Sequence, residues 1–138
     1  MKYLLDVNVL LAWGWADHTD HRRVASWIGL MMRHRNTTLM TSAIPELGFV
    51  RVSVQRTSGR ISLADATVTL TSMLHSLKAK HRFVGDDLSS TLPLPAWCEG
   101  ASRSTDAHLF GLAEAHGALL ATLDTGIPGS FLIPAAVA

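Results

Sequence analysis

Two short apolar runs, Tyr3-Leu4-Leu5 and Ala118-Leu119-Leu120-Ala121-Thr122-Leu123, each stop at an aspartate, Asp6 and Asp124. A run this short without polar alternation suits a strand buried on both faces, the condition of a parallel sheet covered by helices. Parallel strands need crossover connections, so the intervening sequence has to supply helices. The chain is thereby confined to folds in which strand and helix alternate.

The intervening sequence supplies them. Val7 to Trp15 reads as a turn into a short helix, and Val24, Trp27, Ile28 and Met31 form one stripe of a second helix, capped by Thr19 or Asp20. Thr37 to Thr41 is rich in β-branched residues and predicts a strand. Ser42 then caps a helix that tolerates Pro45 in its first turn and draws its apolar face from Leu47, Val50 and Val54. Ser62 opens a helix carrying Leu63, Ala66, Leu70 and Leu74, and His81 to Val84 is a weak third strand. Pro93, Pro95 and Gly100 keep residues 86–100 out of regular structure apart from a short helical turn. Ser104 or Thr105 is expected to cap a helix through Leu109, Leu112, Ala113 and His116, closed by Gly117. Ser130 to Ile133 follows the turn Gly126-Ile127-Pro128-Gly129 as a last strand. The expected architecture is a three-layer α/β/α sandwich around a central, mainly parallel sheet, with residues 1–138 forming one domain. A chain of 138 residues, 48% hydrophobic, suffices for one core.

Composition excludes several functions. A net charge of +1 gives no bulk attraction to nucleic acid or to a membrane surface, so any phosphate binding has to come from local clustering. The single cysteine, Cys98, leaves no internal disulfide and no multi-thiolate zinc site, and it fits a reducing cytoplasm. No run approaches the roughly 20 apolar residues of a membrane span. The first segment, broken by Asp6 and Asn8, does not read as a targeting sequence. Gly-rich phosphate loops are absent. His18 and His21 are expected at the surface, neither His108 nor His116 is expected to be a ligand, and the four tryptophans read as core or interface residues.

Four acids remain: Asp6, Glu46, Asp106 and Asp124. Taken singly they have ordinary explanations, such as turn chemistry for Asp6 and Asp124, as for the nearby Asn8, or the helix dipole for Asp106. Together they stand where segments reach one edge of the sheet, and open α/β sheets bind ligands outside the carboxyl ends of their strands. Converging carboxylates repel and lose hydration unless a cation joins them. An oxygen-only site of this kind suits Mg²⁺ or Mn²⁺.

The segments Leu4-Leu5-Asp6-Val7-Asn8-Val9-Leu10, Pro45-Glu46-Leu47-Gly48-Phe49-Val50-Arg51, Thr105-Asp106-Ala107-His108-Leu109 and Leu120-Ala121-Thr122-Leu123-Asp124 resemble, in order and wording, those of a PIN domain of the VapC toxin type. The resemblance runs over essentially the whole chain. It implies that Asp6, Glu46, Asp106 and Asp124 are the family's metal-binding, catalytic acids, with Asp6, Asp106 and Asp124 mainly on the metal and Glu46 on metal or water. Asn8 and Thr105 map onto the supporting polar residues. It further implies a Mg²⁺- or Mn²⁺-dependent endoribonuclease that leaves 5′-phosphate and 3′-hydroxyl ends, a cognate antitoxin that blocks the site, and a homodimer. Ile127 departs from the pattern, which often has an aromatic residue three places after the last acid. Two rival readings are a catalytically silent RNA- or antitoxin-binding scaffold and a metal-dependent phosphatase. The phosphatase would want an aspartate where Asn8 stands.

Overall fold

In the computed structural model, which describes residues 1–136, Tyr3, Leu4 and Leu5 are buried because β1 (Lys2–Leu5) is flanked on both sides. It pairs in parallel with β2 (Thr38–Thr41) and with β4 (Leu119–Thr122). Outside these lie β3 (His81–Phe83) against β2 and β5 (Phe131–Leu132) against β4, giving the order β3-β2-β1-β4-β5. Every pairing is parallel.

Alternate strand residues feed two cores. Tyr3, Leu5, Leu39 and Ala121 face α1 (Val7–Gly14), α2 (His21–Met32), α3 (Ala43–Arg56) and α4 (Leu63–Ser76), where they meet Leu10, Trp27, Ile28, Phe49 and Leu70. Leu4, Met40 and Leu120 face the other way, onto Leu109, Leu112 and Ala113 of α5 (Ser104–Ala115). The result is the expected α/β/α sandwich, with four helices on one face and α5 on the other. The chain builds β1, β2 and β3 outward in one direction and then returns to the far side of β1 for β4 and β5. Strand order therefore reverses between β1 and β4, the place where such sheets open a crevice. No helix among the described residues is long and apolar enough to cross a membrane.

Several local expectations need correction. Leu47 is 64% exposed, and the inward face of α3 is Pro45, Gly48, Phe49 and Ser53 instead. Phe49 anchors that face, and two residues along a helix amount to about 200° of rotation, which turns Leu47 away from it. Leu63, at the first position of α4, is also exposed, while Ala66, Leu70 and Met73 are buried. Neither Ser104 nor Thr105 caps α5: a 3₁₀ turn, Ala101–Arg103, leads straight into it and puts Arg103 at the N-cap. Asp20 and Ser42 hold N-cap positions without a side-chain bond. Ser62 does cap α4, accepting from the Asp65 amide at 3.0 Å while Asp65 accepts from the Ser62 amide at 3.1 Å. Residues 86–100 contain no helix or strand, as their prolines predict.

Glycines test the packing of α1 on α3. A Cβ on Gly48 would lie 2.8 Å and 3.1 Å from the two Val7 methyl groups, whereas at Gly29 of α2 it would meet nothing within 4 Å. Alanine is the better helix former by roughly 1 kcal/mol. Gly29→Ala should therefore stabilise by about 0.5–1 kcal/mol, and Gly48→Ala should destabilise by about 1–3 kcal/mol despite the same propensity gain. Urea unfolding of both variants checks the pair, and a stabilising Gly48→Ala would refute the close approach of the helices.

Candidate active site

At the end of β1 the chain turns into α1 through Asp6, which is 5% exposed and caps that helix. Its Oδ1 accepts from the Val7 amide at 2.7 Å and its Oδ2 from the Thr122 hydroxyl at 2.8 Å. Thr122 ends β4 and is fully buried. Having given its proton to Asp6, its oxygen accepts from Asn8 Nδ2 at 3.2 Å and from the Asp124 amide at 3.1 Å. Asn8 returns to β4, its Oδ1 accepting from the Leu123 amide at 3.1 Å. Asp124 Oδ1 accepts from the Gly126 amide at 2.7 Å, the local turn that aims its carboxylate.

Asp106 arrives from the opposite face of the sheet, in the first turn of α5. Arg103 joins it to Asp124: one guanidinium nitrogen, Nη1, donates to Asp124 Oδ2 at 2.9 Å and to Asp106 Oδ2 at 3.3 Å. The guanidinium lies against Gly126, where a side chain would run into it. Burial raises the Asp6 carboxyl above its ordinary pKa of 3.8, the Thr122 and Val7 bonds oppose this, and the charges of Asp106 and Asp124 push it further up. Asp106 is raised as well, first by burial and then by Asp124, with Arg103 opposing. The three aspartates thus share one electrostatic site.

Glu46 stands at the same carboxyl edge, in the first turn of α3, but its bonds lead elsewhere. Its Oε2 accepts from the Thr41 hydroxyl at 2.6 Å, and Thr41 in turn contacts His81 Nε2 at 2.7 Å. Thr105 lies exposed on α5, with no side-chain hydrogen bond to the described residues. His108 pairs with Asp86 at 2.7 Å, tying the 86–100 loop to α5. Ile127 is buried in the α5-side core, so its departure from an aromatic residue is a matter of packing.

Arg103, Thr122, Thr41 and His81 are the residues that sequence reasoning passed over. Thr122 left one signal, a hydroxyl closing an otherwise apolar run, and Arg103 left another, a cation three residues before Asp106. Among the described residues no three or more acidic, imidazole or thiol side chains stand together so as to hold a metal ion. The donor chemistry nevertheless fits a hard divalent cation, since the three side chains that share a field offer carboxylate oxygen alone.

No family-wide sequence profile matches the chain. Individual relatives do, over nearly its full length. Ribonuclease VapC38 of Mycobacterium tuberculosis (strain ATCC 25618 / H37Rv) is 37% identical over 128 residues, covering 90% of this chain and 86% of that protein. Ribonuclease VapC44 of the same strain is 35% identical over 139 residues, and ribonuclease VapC39 is 32% identical over 133, each match covering 94% of both chains. Among solved structures, a chain of VapBC2 from Rickettsia felis, crystallised with a DNA fragment from the promoter, superposes with a TM-score of 0.61 at 16% identity. That match covers 96% of this chain and 97% of the other, and it shows the shared fold. The chain belongs to the VapC ribonuclease family.

The raised carboxyls give a pH signature. A carboxyl with a raised folded-state pKa holds its proton more tightly in the fold, so its contribution is present below 3.8 and is lost as pH rises through the raised value. In chelator-treated buffer the melting temperature of Asp6→Asn, relative to wild type, should climb as pH rises from about 4. A difference that stays flat with pH would show that the fold does not raise the Asp6 carboxyl.

Proposed function

We propose that this protein is a divalent-cation-dependent endoribonuclease toxin, acting on RNA in the cytoplasm as a homodimer and silenced by a cognate antitoxin. The observation that carries this reading is the meeting of Asp6, Asp106 and Asp124 at the strand-order reversal, in a chain whose relatives are named ribonucleases. The antitoxin is supported by the family and by the VapBC2 assembly that shares the fold.

Asp6, Asp106 and Asp124 would hold Mg²⁺ or Mn²⁺, which when bound polarises a phosphoryl oxygen and makes water a stronger nucleophile. The chain's own part is positioning. Thr122 and the Val7 amide fix both Asp6 oxygens, and Asn8 locks the end of β1 to the end of β4, so these groups need no rearrangement during the reaction. Glu46, held through one oxygen by Thr41, orients the attacking water and accepts its proton. Arg103 holds one oxygen each of Asp106 and Asp124, donors the cation also needs, so the two compete for them. Nothing in the site supplies an activated serine or cysteine, in keeping with direct attack by water.

Purified protein should cleave RNA with Mg²⁺ or Mn²⁺ and lose that activity in excess chelator, with 5′-end sequencing to map the cuts. Asp124→Asn should lower the rate at least about a hundredfold, a loss of roughly 2.7 kcal/mol in transition-state stabilisation. Cleavage that survives the chelator would eliminate the metal role, and no cleavage with either ion would favour the silent scaffold. Arg103→Met should bind Mn²⁺ several-fold more tightly by calorimetry. In chelator the same variant should melt about 2–4 °C lower, since its two acids lose an ion-pair partner worth up to about 1 kcal/mol. Unchanged Mn²⁺ affinity would show that the guanidinium and the cation do not compete.

A further inference from the structure

Thr41, His81 and Glu46 form a hydrogen-bonded chain whose direction is fixed by proton inventory. Thr41 closes β2, is fully buried and carries a single hydroxyl proton. Its 2.6 Å contact with Glu46 Oε2 has the length of a hydroxyl donating to a carboxylate, and an ionised carboxylate can only accept. The proton is therefore committed to Glu46. The 2.7 Å contact with His81 has to be a bond in which Nε2–H donates to the Thr41 oxygen, and this sets the imidazole tautomer.

Sheet stability does not require this arrangement. The backbone already zips β2 to β3 over Leu39↔His81, Met40↔Arg82 and Thr41↔Phe83. The chain instead immobilises one oxygen of a half-buried glutamate and leaves Oε1 without a hydrogen bond from the described residues. Burial lowers the His81 pKa, against the opposing charge of Glu46, which keeps the ring in the neutral form that has one N–H to give.

We propose that His81, acting through Thr41, is a positioning residue for Glu46: the imidazole N–H holds the Thr41 proton on Oε2 and presents Oε1 as the oxygen that takes the proton of the attacking water. The role rests on the ribonuclease reading above. Glu46 receives the water's proton on Oε1 and becomes a neutral carboxylic acid as the hydroxide oxygen bonds to phosphorus; the bond from phosphorus to the 3′ oxygen breaks, and that oxygen leaves with the electron pair and takes a proton from solvent water. His81 itself gains or loses no proton.

Steady-state cleavage of an RNA substrate with Mn²⁺ tests this in wild type, His81→Phe, His81→Gln, Glu46→Gln and the double variant Glu46→Gln with His81→Phe. His81→Phe, which keeps a ring but no donor, should lose at least about tenfold in kcat at unchanged KM. His81→Gln, whose amide can donate to Thr41, should recover most of it. On the Glu46→Gln background His81→Phe should cost nothing further, because the oxygen it positions is gone. An equal loss on both backgrounds, or wild-type kcat in His81→Phe, overturns the proposal. A readout independent of activity and of any variant's folding is the imidazole ¹⁵N spectrum of the wild-type chain at neutral pH, in which His81 should be the Nε2–H tautomer. The Nδ1–H tautomer overturns the proposal even if cleavage is normal. A wild-type chain that shows the expected tautomer but cleaves no RNA overturns the ribonuclease reading, and with it this role for His81.

Discussion

The site depends on one buried hydroxyl. Thr122 donates to Asp6 and accepts from Asn8 and from the Asp124 amide, so the ends of β1 and β4 are held in a fixed relation by a single oxygen atom. A buried polar group in such a position is costly unless fully bonded, and this one is. Backbone pairing brings the two strands side by side. The hydroxyl fixes how the Asp6 carboxylate is turned and holds the backbone from which Asp124 projects.

The electrostatics follow from that geometry. Asp6 is turned into the protein and surrounded by its own helix start, so burial, more than any neighbour, raises its pKa. Asp106 and Asp124 are less enclosed and share a guanidinium, which opposes the same rise in Asp106. Like charges are thus tolerated in two ways, by hydrogen bonds from fixed donors on one side of the site and by the Arg103 guanidinium on the other. Glu46 takes a third course through Thr41 and His81, at the other end of the same sheet edge.

Much of this was legible in the residues. The runs ending at Asp6 and Asp124 predicted parallel strands buried on both faces, because a short apolar run without polar alternation suits a strand covered on both sides. Ser62 and Gly117 ended or began helices where expected, Gly117 with a left-handed backbone of φ 64° that glycine adopts readily. What failed was the inward face of α3 and the start of α5. Leu47 looked like core by hydrophobicity, but the partners it faces are fixed by tertiary packing, which one sequence does not display. Arg103 was unreadable as an N-cap because capping statistics favour Ser and Thr, while the 3₁₀ turn before it had already satisfied the chain's direction. The acids were visible as a set; their bonding partners were less so, since Thr122 reaches Asp6 and Arg103 reaches Asp124 only through the fold, while Thr41, five residues before Glu46, gives no sequence sign that its hydroxyl turns toward that carboxylate.

The two faces of the sheet are unequally covered. Four helices brace one side, and among the described residues α5 alone covers the other, tied to the 86–100 loop by the Asp86–His108 pair. That helix is seated by its own apolar face, with Ala107, Leu109, Leu112 and Ala113 all buried, and among the described residues has no neighbouring α-helix to brace it. Arg103 and Asp106 both ride on it, the cation at its cap and the acid in its first turn. Any displacement of α5 would carry a positive and a negative charge together, so it would leave the net charge of the crevice unchanged.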